Sequence, residues 1–293
     1  MRTVFTTTLA TTAVATLLAL GGCAIIVVPD EGSVRYESAF GSSAVQGNGQ
    51  FATEKRSIGS MQGLDINGPF QVEVRVGEAP SLQLEGDSNL LPLVRTDIGG
   101  DTLRIGVTGR IQTTTPLHII ITTPQLTRVD ANGSGKLSIS GLQGDPLSLT
   151  QNGSRNVQLT GRVSRLDLRQ NGSGSVNATG LDAGSIQASI NGSGRLNLGQ
   201  VRGETLTVEL HGSGGVSGSG QVRSMNVRTH GSGSADLAGL SSQGAQLSTY
   251  GSGSISAAVT QSVVADTSGS GRITVYGNPA QRNISGKHVS VVE

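Results

Sequence analysis

Ser185-Ile186-Gln187-Ala188-Ser189-Ile190, then Asn191-Gly192-Ser193-Gly194, then Arg195-Leu196-Asn197-Leu198 is the stretch whose reading decides the fold. Its central tetrapeptide, or a close variant, occurs eight times, beginning at Asn132, Asn152, Asn171, Asn191, His211, His230, Tyr250 and Ser268. The steps between copies are 20, 19, 20, 20, 19, 20 and 18 residues. A fixed period near 20 marks a solenoid, in which each repeat is one coil stacked on the last. Apolar and polar residues alternate on both sides of the tetrapeptide, as they do along half-buried strands. A third apolar residue lies in each return segment: Leu142, Val163, Leu181, Val201, Val222 and Leu240. Three inward points per coil predict an all-β, parallel β-helix-like solenoid of roughly triangular section. The handedness rule for parallel crossovers predicts a right-handed coil.

The tetrapeptide suits a corner. Gly reaches positive φ without steric penalty, and Asn tolerates that region better than most residues. Stacked in register, the corners form ladders. Ser holds the third place in every copy: Ser134, Ser154, Ser173, Ser193, Ser213, Ser232, Ser252 and Ser270. Asn132, Asn152, Asn171 and Asn191 hold the first place in four consecutive copies, spaced to hydrogen-bond one to the next. His211 and His230 follow in that column and are expected to stack, with Tyr250 beside them. Only the second copy loses its last Gly, to Arg155.

The chain has 293 residues, of which 44 are Gly, and it contains 4 Phe, 3 Tyr and no Trp. Charged residues make up 14%, against about 25% in ordinary soluble domains. Regular alternation of Leu, Ile and Val excludes a disordered chain. The net charge is +1, and between residues 125 and 275 the 11 Lys/Arg are interspersed with 8 Asp/Glu. Such a balance gives no bulk attraction for nucleic acid.

The N-terminus has Arg2, an apolar Thr/Ala/Leu stretch to Leu20, and then Leu20-Gly21-Gly22-Cys23. A basic start, a short apolar core and small residues before a cleavage point describe a secretory signal. The Leu-Gly-Gly-Cys ending resembles the bacterial lipobox. That resemblance implies a signal peptide over 1–22, lipidation at Cys23 and membrane attachment through the lipid. Ala24, in place of Asp, implies the outer membrane by likeness to Gram-negative lipoproteins. An uncleaved anchor through Ala24-Ile25-Ile26-Val27-Val28 is the alternative. Cys23 is the only cysteine, so no disulfide can form within one chain.

Residues 23–56, with Pro29, Gly32, Gly41, Gly47 and Gly49, read as a flexible tether. Residues 57–124 alternate strongly and read as an N-terminal β segment that caps one end. Residues 125–293 read as the solenoid, with a second cap after Tyr276. Helical periodicity is nearly absent; the nearest candidate is Asn89 to Arg95.

Catalytic β-helices need clustered carboxylates, and no such cluster follows from the spacing. Asp167 beside Arg165 and Arg169 reads as an exposed charged strand. Asp182, Arg202 and Arg223 occupy comparable return positions, with Glu204 nearby, and are the candidate ligand-binding residues, suited to an anionic glycan. The His211–His230 pair lacks a third ligand for a metal. The corners carry Ser where calcium-binding repeats carry Asp. No cofactor is indicated.

Several features occur in a fixed order: Gly63-Leu64-Asp65-Ile66, Gly68-Pro69-Phe70-Gln71-Val72, Pro124-Gln125-Leu126, the repeated Gly-Ser-Gly corners, and Tyr276-Gly277-Asn278-Pro279. Over residues 56–290 this order resembles the head GIN domain family of secreted bacterial proteins, which bears an adhesin label. The resemblance implies a parallel β-helix-like fold and an envelope location, with no catalytic residues to carry over. The expected role is a non-enzymatic envelope protein that binds glycans or other cell-surface components. The alternatives are a carbohydrate-active enzyme on the same scaffold and a self-associating structural protein.

Overall fold

The computed structural model describes residues 25–30, 33–38 and 44–293. The signal peptide, Cys23 and its lipidation lie outside the described residues. The described residues fall into two units, divided between residues 44 and 45. In the first, Ile25–Asp30 and Ser33–Ser38 pair as an antiparallel hairpin. Among the described residues no helix is long and apolar enough to cross a membrane.

The second unit is a β-solenoid of about 8 turns. Each coil has a strand before the corner (face A), a strand after it (face B) and a return segment (face C). On face A, Arg128–Gly133, Leu147–Gly153, Leu166–Gly172 and Ser185–Gly192 stack in parallel register, so Asn132 lies over Asn152, Asn171 and Asn191 in turn. Further along, one strand runs from each corner through the return to the next corner, as Arg195–Gly212 and Gly215–Gly231 do. The return therefore also pairs in parallel, with Val201 opposite Gly220 and Arg202 opposite Gln221. Alternation decides what is inside: Ile186, Ala188, Ile190, Leu196 and Leu198 are buried. All six return residues, Leu142, Val163, Leu181, Val201, Val222 and Leu240, are buried with them. All three faces of the coil contribute buried residues, as the spacing requires, and on the return the buried residue changes column, with Val201 opposite Gly220 and Val222 opposite Gly203.

The boundary expected at 124/125 is not a domain boundary. Gly63–Asn67 pairs in parallel with Arg128–Gly133, and Gln71–Val76 with Lys136–Gly144, so residues 63–76 are a coil of the same solenoid. The strands that follow lie on its other side: Thr102–Val107 pairs with Gly63–Asn67, and His118–Thr123 with Gln71–Val76. Chain order and stacking order differ here. The chain descends one coil, then crosses back over the 63–76 coil through Pro124-Gln125-Leu126-Thr127. Thr123 Oγ1 donates to Met61 O at 2.7 Å, and Thr127 and Arg128 N–H donate to Gln62 O, which fixes the crossing.

The capping role expected of this region belongs to three antiparallel strands. Ser81–Asp87 pairs with His118–Thr123, Phe51–Arg56 with Ser81–Asp87, and Val94–Gly99 with Thr102–Val107. Reversal of direction ends the parallel stack, which blunts an edge that other chains could extend. The tether expected to reach residue 56 is thus corrected over 45–56. Val45–Gln46 pairs with Ile111–Gln112, and Phe51–Arg56 is held by Arg56, whose guanidinium donates to Val94 O at 2.6 Å and Leu91 O at 3.1 Å. Leu91–Leu93, a single 3-10 turn, is the only helical element among the described residues and falls within the Asn89–Arg95 candidate. At the far end the second expected cap is absent. Gln281–Ser285 and Val289–Val292 pair in parallel with the preceding coil and simply continue it.

One cap contact is pH-sensitive. Gln83 donates to Glu85 at 2.6 Å, and His118 lies 3.2 Å from the other carboxylate oxygen. The Gln83 bond first, and His118 second, hold the Glu85 carboxyl below its ordinary value. A depressed carboxylate contributes stability that is present above its unfolded pKa and is lost as pH falls through its folded value. We therefore expect the melting temperature of the wild type to fall faster than that of Glu85→Gln below about pH 4.3, the ordinary Glu value. Parallel pH–melting curves would contradict this.

Candidate functional site

Three surface features are regular enough to act as sites: the corner column, the outer side of face B, and a trough on face C.

The corner column begins earlier than the repeat. Asn132 Nδ2 donates to Asn67 Oδ1 at 3.0 Å, Asn152 to Asn132 at 2.7 Å, Asn171 to Asn152 at 2.8 Å, and Asn191 to Asn171 at 2.9 Å. Each amide donates to the coil below and accepts from the coil above, using one N–H and the oxygen of every inner rung. Asn67-Gly68 was missed in the sequence because 65 residues separate it from Asn132 and Pro69-Phe70 stand in place of Ser-Gly. Above Asn191 the column turns aromatic. His211 and His230 stack at 4.8 Å and 5°, and His230 and Tyr250 at 4.9 Å and 8°. Both imidazoles are exposed. The Ser column is different. Of its members, Ser134, Ser154, Ser173, Ser193, Ser213 and Ser232 make no side-chain bond along the ladder among the described residues, and Ser252 meets Ser270 at 3.2 Å. Their backbones do the stacking: Ser173 N–H donates to Gly153 O, Ser193 to Gly172 O and Ser213 to Gly192 O. Among the described residues no three His, Cys, Asp or Glu side chains are grouped to hold a metal.

Under the corners runs an inner row, polar on either side of Ile190 and Leu210, that is invisible to motif reading. Gln151, Gln170, Thr229 and Thr249 are fully buried. Gln151 and Gln170 donate to the main-chain oxygens of Arg155 and Gly174, the fourth residues of their own corners. The two-residue alternation places them inward; the polarity of their side chains hides it. Arg155 joins them. Its guanidinium lies inside the solenoid and donates to Phe70 O at 2.8 Å, Gly68 O at 2.6 Å and Asn132 O at 3.3 Å. Burial pushes its pKa down to about 10, so it stays protonated at neutral pH.

The outer side of face B is mostly hydroxyl and amide, with Lys136, Arg195 and Asp236 its charged members. One row runs Ser138, Gln158, Asn177, Asn197, Ser217, Asp236 and Ser256, each opposite the next. Beside it run Lys136, Asn156, Ser175, Arg195, Gly215, Ser234 and Ser254. Ser175 donates to Asn156 at 2.7 Å and Ser217 to Asn197 at 2.9 Å, and Asn177 Oδ1 accepts the Thr179 N–H at 3.0 Å. The surface offers hydroxyls and amides at strand spacing, about 4.8 Å.

Face C holds the candidate ligand residues, and the structure divides them. Arg202 and Arg223 line one open hollow of about 550 Å³ with Glu204, Gln221 and Gln243. Asp182 lies outside it, ion-paired with Arg162 at 3.1 Å, and shares a second hollow of about 260 Å³ with Arg202. Arg223 is paired with Glu204 at 3.1 Å. Arg202 makes no ion pair among the described residues and donates to Gln200 Oε1 at 3.1 Å. On face A, Arg165 pairs with Asp167 at 2.9 Å and reaches Gln187, forming an exposed charged strand.

Two overlapping segments, 61–198 and 178–279, match the model of a family described as "putative auto-transporter adhesin, head GIN domain". Three crystal structures share the fold. A putative adhesin from Parabacteroides merdae is 22% identical, with a TM-score of 0.64 over 86% of this chain and 100% of that one. A putative lipid binding protein from Parabacteroides distasonis is 22% identical, with a TM-score of 0.66 over 86% and 100%. A putative adhesin from the same organism is 18% identical, with a TM-score of 0.65 over 85% and 100%. No curated protein matches the sequence.

Proposed function

Since this chain belongs to the head GIN domain family, we propose that it is a non-enzymatic protein of the cell envelope that binds glycans or other surface components along its polar faces. The observation that carries this reading is the hydroxyl–amide array of face B, which runs over successive coils with Lys136, Arg195 and Asp236 as its charged members. Such an array suits a polymer with repeating hydroxyls, which it meets by many small hydrogen bonds. The adhesin character of the family supports a place at the cell surface or envelope. The carboxylates support a non-enzymatic role. The hollows lined by Glu204, Asp167 and Asp182 each contain that one carboxylate, and each of the three is tied to an Arg. Glycoside hydrolysis needs two across the scissile bond. The test is a screen of the full chain against neutral and acidic glycans and cell-wall fragments. Selective, saturable binding without turnover supports the reading. Consumption of a bound glycan would replace it with the enzymatic one.

Attachment is proposed through a lipid on Cys23, at the outer membrane. Cys23→Ser is expected to move the protein from the membrane fraction to the soluble fraction. Retention in the membrane would favour an uncleaved anchor.

A second reading, self-association, is favoured by one observation. Gln281–Ser285 and Val289–Val292 leave their outer edges unpaired among the described residues, with Ile284 and Val292 exposed. Free parallel edges are templates for another strand. Concentration-dependent sedimentation would support this reading, and a monomer at all concentrations would remove it.

A further inference from the structure

We propose that the face C hollow between Arg202 and Arg223 binds the carboxylate of an acidic saccharide, a uronic-acid-containing polysaccharide lying along the return face. The proposal rests on the glycan-binding reading above and gives it a ligand class.

Arg162 is matched by Asp182, and Arg223 by Glu204. Arg202, between them, is an exposed cation held only by the neutral amide of Gln200. The Glu204–Arg223 pair is exposed on both sides, 66% and 68%, and pairs of that kind contribute little and exchange readily. An incoming carboxylate can therefore take Arg202 directly and compete with Glu204 for Arg223. Guanidinium offers a planar fork that matches a carboxylate through two parallel bonds.

The lining chooses the rest of the ligand. Gly203 presents backbone alone between the arginines and Gly220 does so at the margin, opposite Val201, and Gln221 and Gln243 stand beside them. Their amides both donate and accept, as sugar hydroxyls require. No aromatic ring lines the hollow, so the apolar ring faces on which neutral sugars commonly rest are missing. Recognition then depends on charge and hydrogen bonds, which favours an acidic sugar over a neutral one. Asp182 bounds the site. It shares the neighbouring hollow with Arg202, and its carboxylate repels a second acid there.

The test uses the full chain with oligogalacturonate, dextran oligosaccharides of similar length, and poly-glutamate. Binding of oligogalacturonate that weakens with salt is expected, with Arg202→Gln reducing affinity about tenfold, or about 1.4 kcal/mol. Glu204→Gln is expected to increase affinity, because it releases Arg223. A merely structural role for the Glu204–Arg223 pair would give no gain. Oligogalacturonate binding unchanged in Arg202→Gln, or weakened in Glu204→Gln, would overturn the proposal. Equal binding of poly-glutamate would overturn the saccharide class. Binding of dextran or cell-wall fragments without oligogalacturonate would reject this site and leave the glycan-binding function standing. No binding of any glycan would reject both.

Discussion

Gly192→Val is expected to lower the unfolding free energy by about 3–5 kcal/mol, through backbone strain and a clash with the next coil. Gly192 sits at φ +120°, and a Cβ there would lie 2.6 Å from Gly172 O. That oxygen already accepts the N–H of Ser193 at 3.1 Å. A β-branched residue meets two penalties at once, an unfavourable φ and a collision with a main-chain atom that cannot rotate away. Each coil rests on its neighbours, so the damage weakens both interfaces of one repeat. Ser193→Ala is the control. Ser193 is exposed and makes no side-chain bond among the described residues, so a change within about 0.5 kcal/mol is expected. Denaturant unfolding of the two variants checks this. A Gly192→Val midpoint equal to that of the wild type would rule out the corner geometry.

The second large effect runs against the repeat consensus. Arg155→Gly restores the Gly that the other seven corners carry in the fourth place, yet a loss of about 3 kcal/mol is expected. The buried carbonyl of Phe70 and the half-buried one of Gly68 would lose this donor, and Asn132 O would keep only the Gly68 N–H. Burial of the guanidinium is itself unfavourable, since it depresses the pKa to about 10. The cost persists below that pH and is offset by the bonds to the carbonyls. Arg155→Met keeps most of the volume without the donors and separates packing from hydrogen bonding. An Arg155→Gly variant as stable as the wild type would show that the carbonyls do not depend on Arg155.

Period and alternation made most of the solenoid legible. From Leu126 onward, the spacing of the eight corners set the coil length, and the two-residue alternation set which side chains are buried. The His211–His230–Tyr250 stack followed from their shared place in the repeat. The N-terminal region resisted the same logic. Asn67 and Asn132 are adjacent rungs 65 residues apart, because residues 68–131 include a descent to the coil below, the cap strands and a return. Periodicity finds neighbours one period apart and cannot see an excursion. For the candidate site, Asp182, Arg202 and Arg223 all lie on the return, but not at the comparable positions expected: Arg202 stands opposite Gln221, so Arg223 lies two residues further along its strand. Their pairing state was not legible, because Glu204 meets Arg223, and Arg162 meets Asp182, only when adjacent coils are laid in register.

The sequence by itself determined the coil: its length, its three inward-facing sides and its glycine corners. These depend on residue type at fixed local spacing, on φ and on strand alternation, which every repeat carries within its own coil. Only the tertiary structure decided three other matters. It set the order in which the first coils stack, the inward turn of Arg155 toward carbonyls 85 and 87 residues away, and the choice of Arg202 as the unpaired cation of the trough. Each depends on contacts between segments far apart in the chain, where no local pattern specifies the partner.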